Sequence, residues 1–245
     1  MPSDKFRKAV QQGDKGREVT LAQEWLCYHG CSTVVDGIFG PATEVAVKNF
    51  QTGHKLEISG VVDSTTQTAL LSPIVAVQSP IAPGSSGLAE LTVAYARQHL
   101  EQHPIEIGGE NRGPWVRLYM SGKEGPEWPW CAGFATWVLR QACRTTGAAM
   151  PHPYAFGCDQ MAGVAQGAQR FLRPKTAADL VAVKPGFLFL VRKTKTTWEH
   201  VGIVEDIQGE VLTTIEGNTN DSGSAEGYAV CRRTRSALDK DYLIY

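Results

Sequence analysis

Three positions carry the chemistry that stands out in this 245-residue chain: Cys131, His200 and the Glu216-Gly-Asn218 triplet. A thiol attacks an amide carbonyl once it has lost its proton. An imidazole takes that proton and hands it to the leaving amine, and a carboxylate or amide fixes the ring's tautomer. Together these are the parts of a cysteine-nucleophile hydrolase. Context separates Cys131 from the other cysteines. It sits in Trp128-Pro-Trp-Cys131-Ala-Gly-Phe134, just ahead of an apolar stripe (Phe134, Ala135, Val138, Leu139, Ala142) that predicts a helix over 132–144. The unpaired N–H groups and positive dipole end of a helix start favour thiolate over thiol. Cys143 and Cys158 lack that context and read as ordinary core cysteines.

The partners of Cys131 fall in a β-rich half. Pro185-Gly186 introduces the run 187–191, a polar loop spans 192–197, and the segments 200–206, 210–216 and 228–232 read as consecutive antiparallel strands. The connection Asp206-Ile-Gln-Gly209 fits a type I turn closed by glycine. A three-residue loop pairs Asp206 with Glu210 and sets His200 opposite Glu216 on one face. A two-residue Gln208-Gly209 loop instead pairs His200 with Gly217 and sends Glu216 to the other face. The expectation is the odd loop. Ahead of Cys131, Leu91, Ala94, Tyr95 and Gln98 predict a helix from about 88 to 100, followed by a loop rich in Gly and Pro.

Composition narrows the classes. A hydrophobic content of 42% supports real cores, and Lys+Arg 24 against Asp+Glu 25 leaves a net charge of −1, which excludes broad phosphate attraction as a binding mode. No apolar run is long enough to span a bilayer, and Met1-Pro-Ser-Asp-Lys-Phe-Arg7 contains no apolar signal-peptide core. Cys27 and Cys31 flank His29, but no second Cys/His pair stands at ligand spacing, so no metal site is expected. His54, His99, His103 and His152 read as solvated or loop histidines, and Glu199 and Glu205 as surface strand charges. Residues 72–87, with three prolines, read as an irregular linker. The domain boundaries drawn are 1–74, a linker at 75–88, and 89–245.

The first domain shows three helical pieces. One runs from about Glu18 to Tyr28, one begins at Pro41, and a short one follows Ser64 as N-cap. Gly37, Thr43 and Ala46 are echoed at the same spacing by Gly60, Thr66 and Ala69, two glycine turns each feeding a helix. On Gly13-Asp-Lys-Gly16-Arg-Glu-Val19, Leu26, Gly30, Asp36-Gly-Ile-Phe-Gly40, Thr43, Ala46-Val47, Phe50-Gln51, Gly60, Val62-Asp63, Thr66 and Ala69-Leu70, residues 13–71 resemble the three-helix peptidoglycan-binding domain family. The resemblance implies a non-catalytic module that holds an enzyme on murein.

The second domain, over about 115–232, resembles the CHAP and NlpC/P60 group of cell-wall cysteine amidohydrolases. The matching residues are Trp130-Cys131-Ala132-x-Phe134, Trp137, Pro185-Gly186, His200-Val-Gly-Ile-Val204 and Glu216-Gly-Asn218, and the last favours CHAP. Phe187 stands where the family often has an acid, and 170–183 has no clear counterpart and is expected to shape a groove. The fold class implied is α+β: a small three-helix bundle plus a papain-like α+β domain with an antiparallel sheet. By that resemblance and the chemistry, Cys131 is the nucleophile, His200 the acid–base, Glu216 or Asn218 the group orienting the ring, and the Cys131 N–H an oxyanion donor. Trp128, Trp130 and Trp198 are substrate-binding candidates, with two of the three expected to be core. The expected activity is murein amidase or endopeptidase, with no cofactor. The alternatives are a non-catalytic wall-binding protein or an acyltransferase on the same scaffold. Peptidoglycan is the expected partner, and neither nucleic acid nor membrane insertion is. The chain is read as a monomer, with room for an immunity or secretion partner. It is expected to reach the wall as an endolysin released by lysis or as an effector delivered by a secretion system.

Overall fold

A computed structural model describes residues 5–84, 86–152, 154–220 and 227–245. In chain order the helices are α1 (Arg17–Tyr28), α2 (Pro41–Gly53), α3 (Ser64–Leu70), α4 (Ser72–Gln78), α5 (Leu88–Leu100), α6 (Pro114–Tyr119), α7 (Cys131–Thr146) and α8 (Cys158–Gly167). The strands are β1 (Phe171–Leu172), β2 (Leu188–Arg192), β3 (Trp198–Gln208), β4 (Val211–Thr219), β5 (Ala229–Ser236) and β6 (Lys240–Leu243), with a 3-10 helix at Ala177–Ala182. The fold is α+β, N-terminal helices followed by an antiparallel six-stranded sheet with helices. The chain divides into two units, residues up to 78 with 105–126, and 79–104 with 127–245.

In the first unit the sequence echo has a polar centre. Gln23, on α1, accepts from the Asp36 and Gly37 N–H groups at 3.1 and 2.8 Å and donates to Ile38 O and Thr43 Oγ1, both at 3.1 Å. Gln51, on α2, repeats the pattern on the next loop. It accepts from Gly60 N–H at 3.0 Å and donates to Val61 O at 2.9 Å and Thr66 Oγ1 at 3.1 Å. Both glutamines are wholly buried. Each satisfies the backbone of a turn too short to satisfy itself. The α3 cap is Asp63, whose carboxylate accepts from Thr66 N–H at 2.8 Å, rather than Ser64.

Two further segments differ from the sequence expectation. Residues 72–78 form α4 rather than irregular chain. Pro73 lies in the first turn, where its missing N–H costs nothing, and Ile74 and Val77 are buried one turn apart. Residues 105–126, drawn with the second domain from sequence, pack with the first unit. The Trp115 ring meets Trp25 edge-on at 5.9 Å, and Arg117 forks onto Glu24 at 3.0 and 2.5 Å while also donating to Glu124 at 2.8 Å.

In the second unit the sheet order is β1-β6-β2-β3-β4-β5. Leu180 and Val183 pack with Phe189, Val204, Leu212, Ala237 and Tyr242. This part of 170–183, expected to shape a groove, instead closes a core.

The β3–β4 hairpin departs from the expected register. Gln208 pairs with Val211, so the loop holds two residues, Gly209 and Glu210, with Gly209 supplying the positive φ of 60°. That even loop alone would place His200 and Glu216 on opposite faces. A bulge between Val204 and Asp206 restores the parity: Val204 faces Thr214 and Ile203 faces Ile215, so His200, Thr214 and Glu216 share one face.

Replacing Gln51 by Leu leaves the Gly60 N–H buried without its acceptor and the Val61 carbonyl with only the longer bond from Thr66 Oγ1, at about 1–3 kcal/mol for an unsatisfied group. The urea midpoint of the first unit's unfolding should fall by an amount equivalent to about 2–3 kcal/mol. A shift under about 0.5 kcal/mol would show that the glutamine is dispensable.

Candidate active site

Helix α7 begins at Cys131 because Trp130 leaves helical geometry there, and no side chain caps the end. The first-turn N–H groups are therefore unpaired within the helix, and the dipole end bears on the thiol. Phe134, Ala135, Val138, Leu139 and Ala142 are fully buried and fix the helix against its neighbours. Strand β4 meets this end closely. A Cβ on Gly217 would lie 2.7 Å from Phe134 and 2.9 Å from Trp130, so only glycine permits the approach.

His200 and Glu216 are both fully buried, with His200 Nε2 2.8 Å from Glu216 Oε2. Glycine is needed beside them as well: a Cβ on Gly202 would meet Glu216 Cγ at 2.7 Å. The carboxylate is heavily supplied with donors. Thr214 Oγ1 donates to Oε1 at 2.5 Å, Arg235 Nε to Oε1 at 2.6 Å and Arg235 Nη2 to Oε2 at 2.5 Å. Burial works against the charge on Glu216, but the hydrogen bonds and charges of Arg235 and His200 outweigh it and hold the group at about 2. An ionised carboxylate only accepts, so His200 Nε2 carries a proton. Nδ1 is the nitrogen left over, and it meets no fully formed hydrogen bond among the described residues.

The Cys131 sulfur interacts with that ring. Its pKa is held well below the ordinary thiol value: hydrogen bonding from Cys158 lowers it most, burial opposes, and His200 and the Val201 backbone lower it further. For His200, burial disfavours the cation, but Cys131 and Glu216 prevail and raise it to about 9. Both shifts favour the thiolate–imidazolium form of the pair over the neutral one. Cys131 is buried, with 4% of the residue exposed.

The other predicted residues divide. Asn218 is buried at a left-handed φ of 55°, and its Oδ1 finds no partner among the described residues, so Glu216 rather than Asn218 holds the ring. Trp130 is wholly buried in the core. Trp198 is nearly so, with its Nε1 donating to Asp241 at 2.7 Å and its backbone N–H to Asp159. Neither ring lines a groove, because packing against helix and carboxylate occupies both. Trp128 is half-buried, edge-on to Phe156, which in turn meets Tyr154 at 5.1 Å.

Glu205, expected at the surface, is buried between Arg97 and Arg232. His99, expected in solvent, is buried 2.8 Å from Gln141, and burial pulls it down to about 4. His152 is buried as well. Sequence reasoning missed Thr214, Arg235 and Cys158. The first two alternate along strands in phase with Glu216, a signal that register alone makes readable. The Cys158 sulfur lies 4.0 Å from Cys131, although it read as an unremarkable core thiol.

Residues 15–70 match the family model described as "Putative peptidoglycan binding domain", and residues 122–218 match that of the CHAP domain. The chain thus carries a peptidoglycan-binding domain at the N-terminus and a CHAP domain at the C-terminus, which together support a peptidoglycan hydrolase. Among solved structures, the SleB N-terminal domain is 32% identical over 28% of this chain and 94% of that one, with a TM-score of 0.27. The search of curated proteins returned no match. No helix among the described residues is long and apolar enough to cross a membrane.

A thiol ionised below the ordinary range alkylates at pH values where ordinary thiols are protonated. With limiting iodoacetamide at pH 6, peptide mapping should find Cys131 modified in preference to Cys143, whose pKa burial raises. In Glu216→Gln the ring loses its anionic partner, and the midpoint of Cys131 labelling against pH should move upward from that of the wild type. Labelling unaffected by that substitution would disprove the coupling.

Proposed function

We propose that this protein hydrolyses an amide bond of the murein stem peptide by a thiol mechanism, with its N-terminal domain holding it on the wall. The observation that carries the reading is the hydrogen bond from buried His200 to the carboxylate of Glu216, with the helix-initial Cys131 and His200 each shifting the other's pKa.

The steps follow from the charges. The Cys131 thiolate attacks the amide carbonyl carbon, and the carbonyl oxygen becomes an oxyanion. The Cys131 N–H at the start of α7, an end with no side-chain cap, is the donor we assign to it. His200, carrying a proton at Nδ1, gives it to the amine as the C–N bond breaks, leaving a thioester. Water then attacks the thioester with neutral His200 as base, which releases the acid and regenerates thiolate and imidazolium. Glu216 keeps the ring from rotating and stabilises its charge at each protonated stage. Arg235 and Thr214 hold Glu216, so they act as positioning residues. The half-buried aromatic edge of Trp128, Phe156 and Tyr154, a few residues from Cys131 and Cys158 in sequence, is the surface we assign to the substrate. Delivery to the wall by lysis or by a secretion system belongs to the same proposal.

Purified sacculi provide the test. Wild type should release soluble fragments, and Cys131→Ala should lose at least about 10³-fold of that rate. Mass spectrometry of the fragments should show a new carboxylate and a new amine. Equal release by both proteins would end the proposal, and products bearing a transferred acyl group would mark an acyltransferase.

The pH profile follows from the two shifts. The reactive ion pair forms as pH rises through the depressed Cys131 value, and it is lost as pH rises through about 9, where His200 gives up its proton. The rate of fragment release should therefore plateau across neutral pH and fall on the alkaline side near 9. A rise that continues past pH 9 would contradict the imidazolium's role.

A further inference from the structure

Cys158 begins α8 as Cys131 begins α7, and their sulfurs stand 4.0 Å apart. Both residues are nearly buried, at 4% and 8% exposure, and neither is in a disulfide. A thiol is a weak hydrogen-bond donor, and a hydroxyl in its place would stabilise a thiolate better. What a second sulfur offers, and an oxygen does not, is a covalent bond to the first. Closing the pair to a disulfide requires about 2 Å of approach between the sulfurs. Side-chain rotation at two residues that each open a helix is a suitable source of that movement.

We propose that Cys158 is a resolving cysteine for Cys131, so that a peroxide converts the pair to a reversible disulfide that switches the site off and shields the nucleophile from irreversible oxidation. This rests on Cys131 being the reactive thiolate of the function proposed above. In the first step the Cys131 thiolate attacks one oxygen of hydrogen peroxide. The O–O bond breaks, and the departing hydroxide takes up a proton as water, leaving Cys131 as a sulfenic acid. In the second step Cys158 attacks the Cys131 sulfur. The S–O bond breaks, and the hydroxide leaves with the Cys158 proton as a second water. Two thiols have then lost two electrons in all, and one peroxide has gained them. A dithiol reductant reverses the change by thiol–disulfide exchange.

The order of events follows from the charges. The Cys131 hydrogen bond and burial both push Cys158 well above the ordinary thiol value, so it stays protonated while Cys131 is the thiolate. Once Cys131 is a neutral sulfenic acid, the negative charge facing Cys158 is gone, and its own ionisation becomes easier at the moment it is needed.

The test uses the full-length protein with hydrogen peroxide in modest excess. Remaining thiols are then blocked and the peptides mapped by mass spectrometry, with sacculus digestion measured on the same samples. A linked Cys131–Cys158 peptide, two hydrogens lighter than the sum of its parts, is expected. With it, activity should fall at least about tenfold, and dithiothreitol should restore both. In Cys158→Ser, compared with its own untreated rate, the same exposure should carry Cys131 to sulfinic acid, and dithiothreitol should recover little. The disulfide map of the wild type needs no variant, so a Cys158→Ser chain that misfolds leaves the test intact. Finding Cys131 as sulfinic acid, or unmodified, in the wild type with no linked peptide would overturn the proposal. A linked peptide in a protein whose sacculus activity does not depend on Cys131 would uphold the redox pair while removing the catalytic reading.

Discussion

The buried charge of Glu216 is the constraint on which the rest of the site depends. A carboxylate with no solvent exposure is costly unless its lone pairs are filled, and removing one partner from such a group typically costs about 3–5 kcal/mol. Here Thr214, the two-pronged Arg235 and the His200 ring fill them. The same saturation that makes the charge tolerable fixes the imidazole tautomer, because an anion accepts and never donates. It also leaves Nδ1 as the ring nitrogen not engaged by the carboxylate. Under the proposed mechanism, one set of bonds serves both stability and chemistry.

Two backbone features make that set geometrically attainable. The bulge at the middle of β3 returns His200 and Glu216 to a common face after a two-residue turn has put them out of phase. Glycines at 202 and 217 then remove the side chains that would hold Glu216 away from the ring and α7 away from β4. Replacing either glycine would force a contact under 3 Å with a packed neighbour, so their role is steric clearance rather than flexibility. The first unit solves a related problem with Gln23 and Gln51, each of which supplies, from a helix, the hydrogen bonds that a short loop lacks.

What the sequence made legible was local. Cys131 announced itself through the apolar stripe that follows it, α2 through Pro41, and the two-loop echo through matched glycine and threonine spacings. What it hid was long-range. A bulge is one inserted residue whose effect appears only against the partner strand, so the turn rules at 206–209 led to the wrong loop length. Arg235 and Thr214 look like alternating strand polars until the β4–β5 register sets them beside Glu216. Cys158 gains its meaning from a sulfur 27 positions earlier in the chain. Glu205 looked like surface charge because the two arginines that neutralise it, Arg97 and Arg232, come from distant segments. Residues 105–126 gave no local sign that Trp115 and Arg117 would pack beside Trp25 and Glu24.

The protonation of one ring is the most direct measure of this account. Histidine-selective nuclear magnetic resonance, titrated from pH 5 to 10, should find His200 still an imidazolium at neutral pH and losing its proton near 9. In Cys131→Ala, where the sulfur's share of the stabilisation is gone, the midpoint should move down toward the ordinary histidine value of about 6.5. A His200 that titrates near 6.5 in the wild type and is indifferent to Cys131 would mean that no ion pair exists for the chemistry to use.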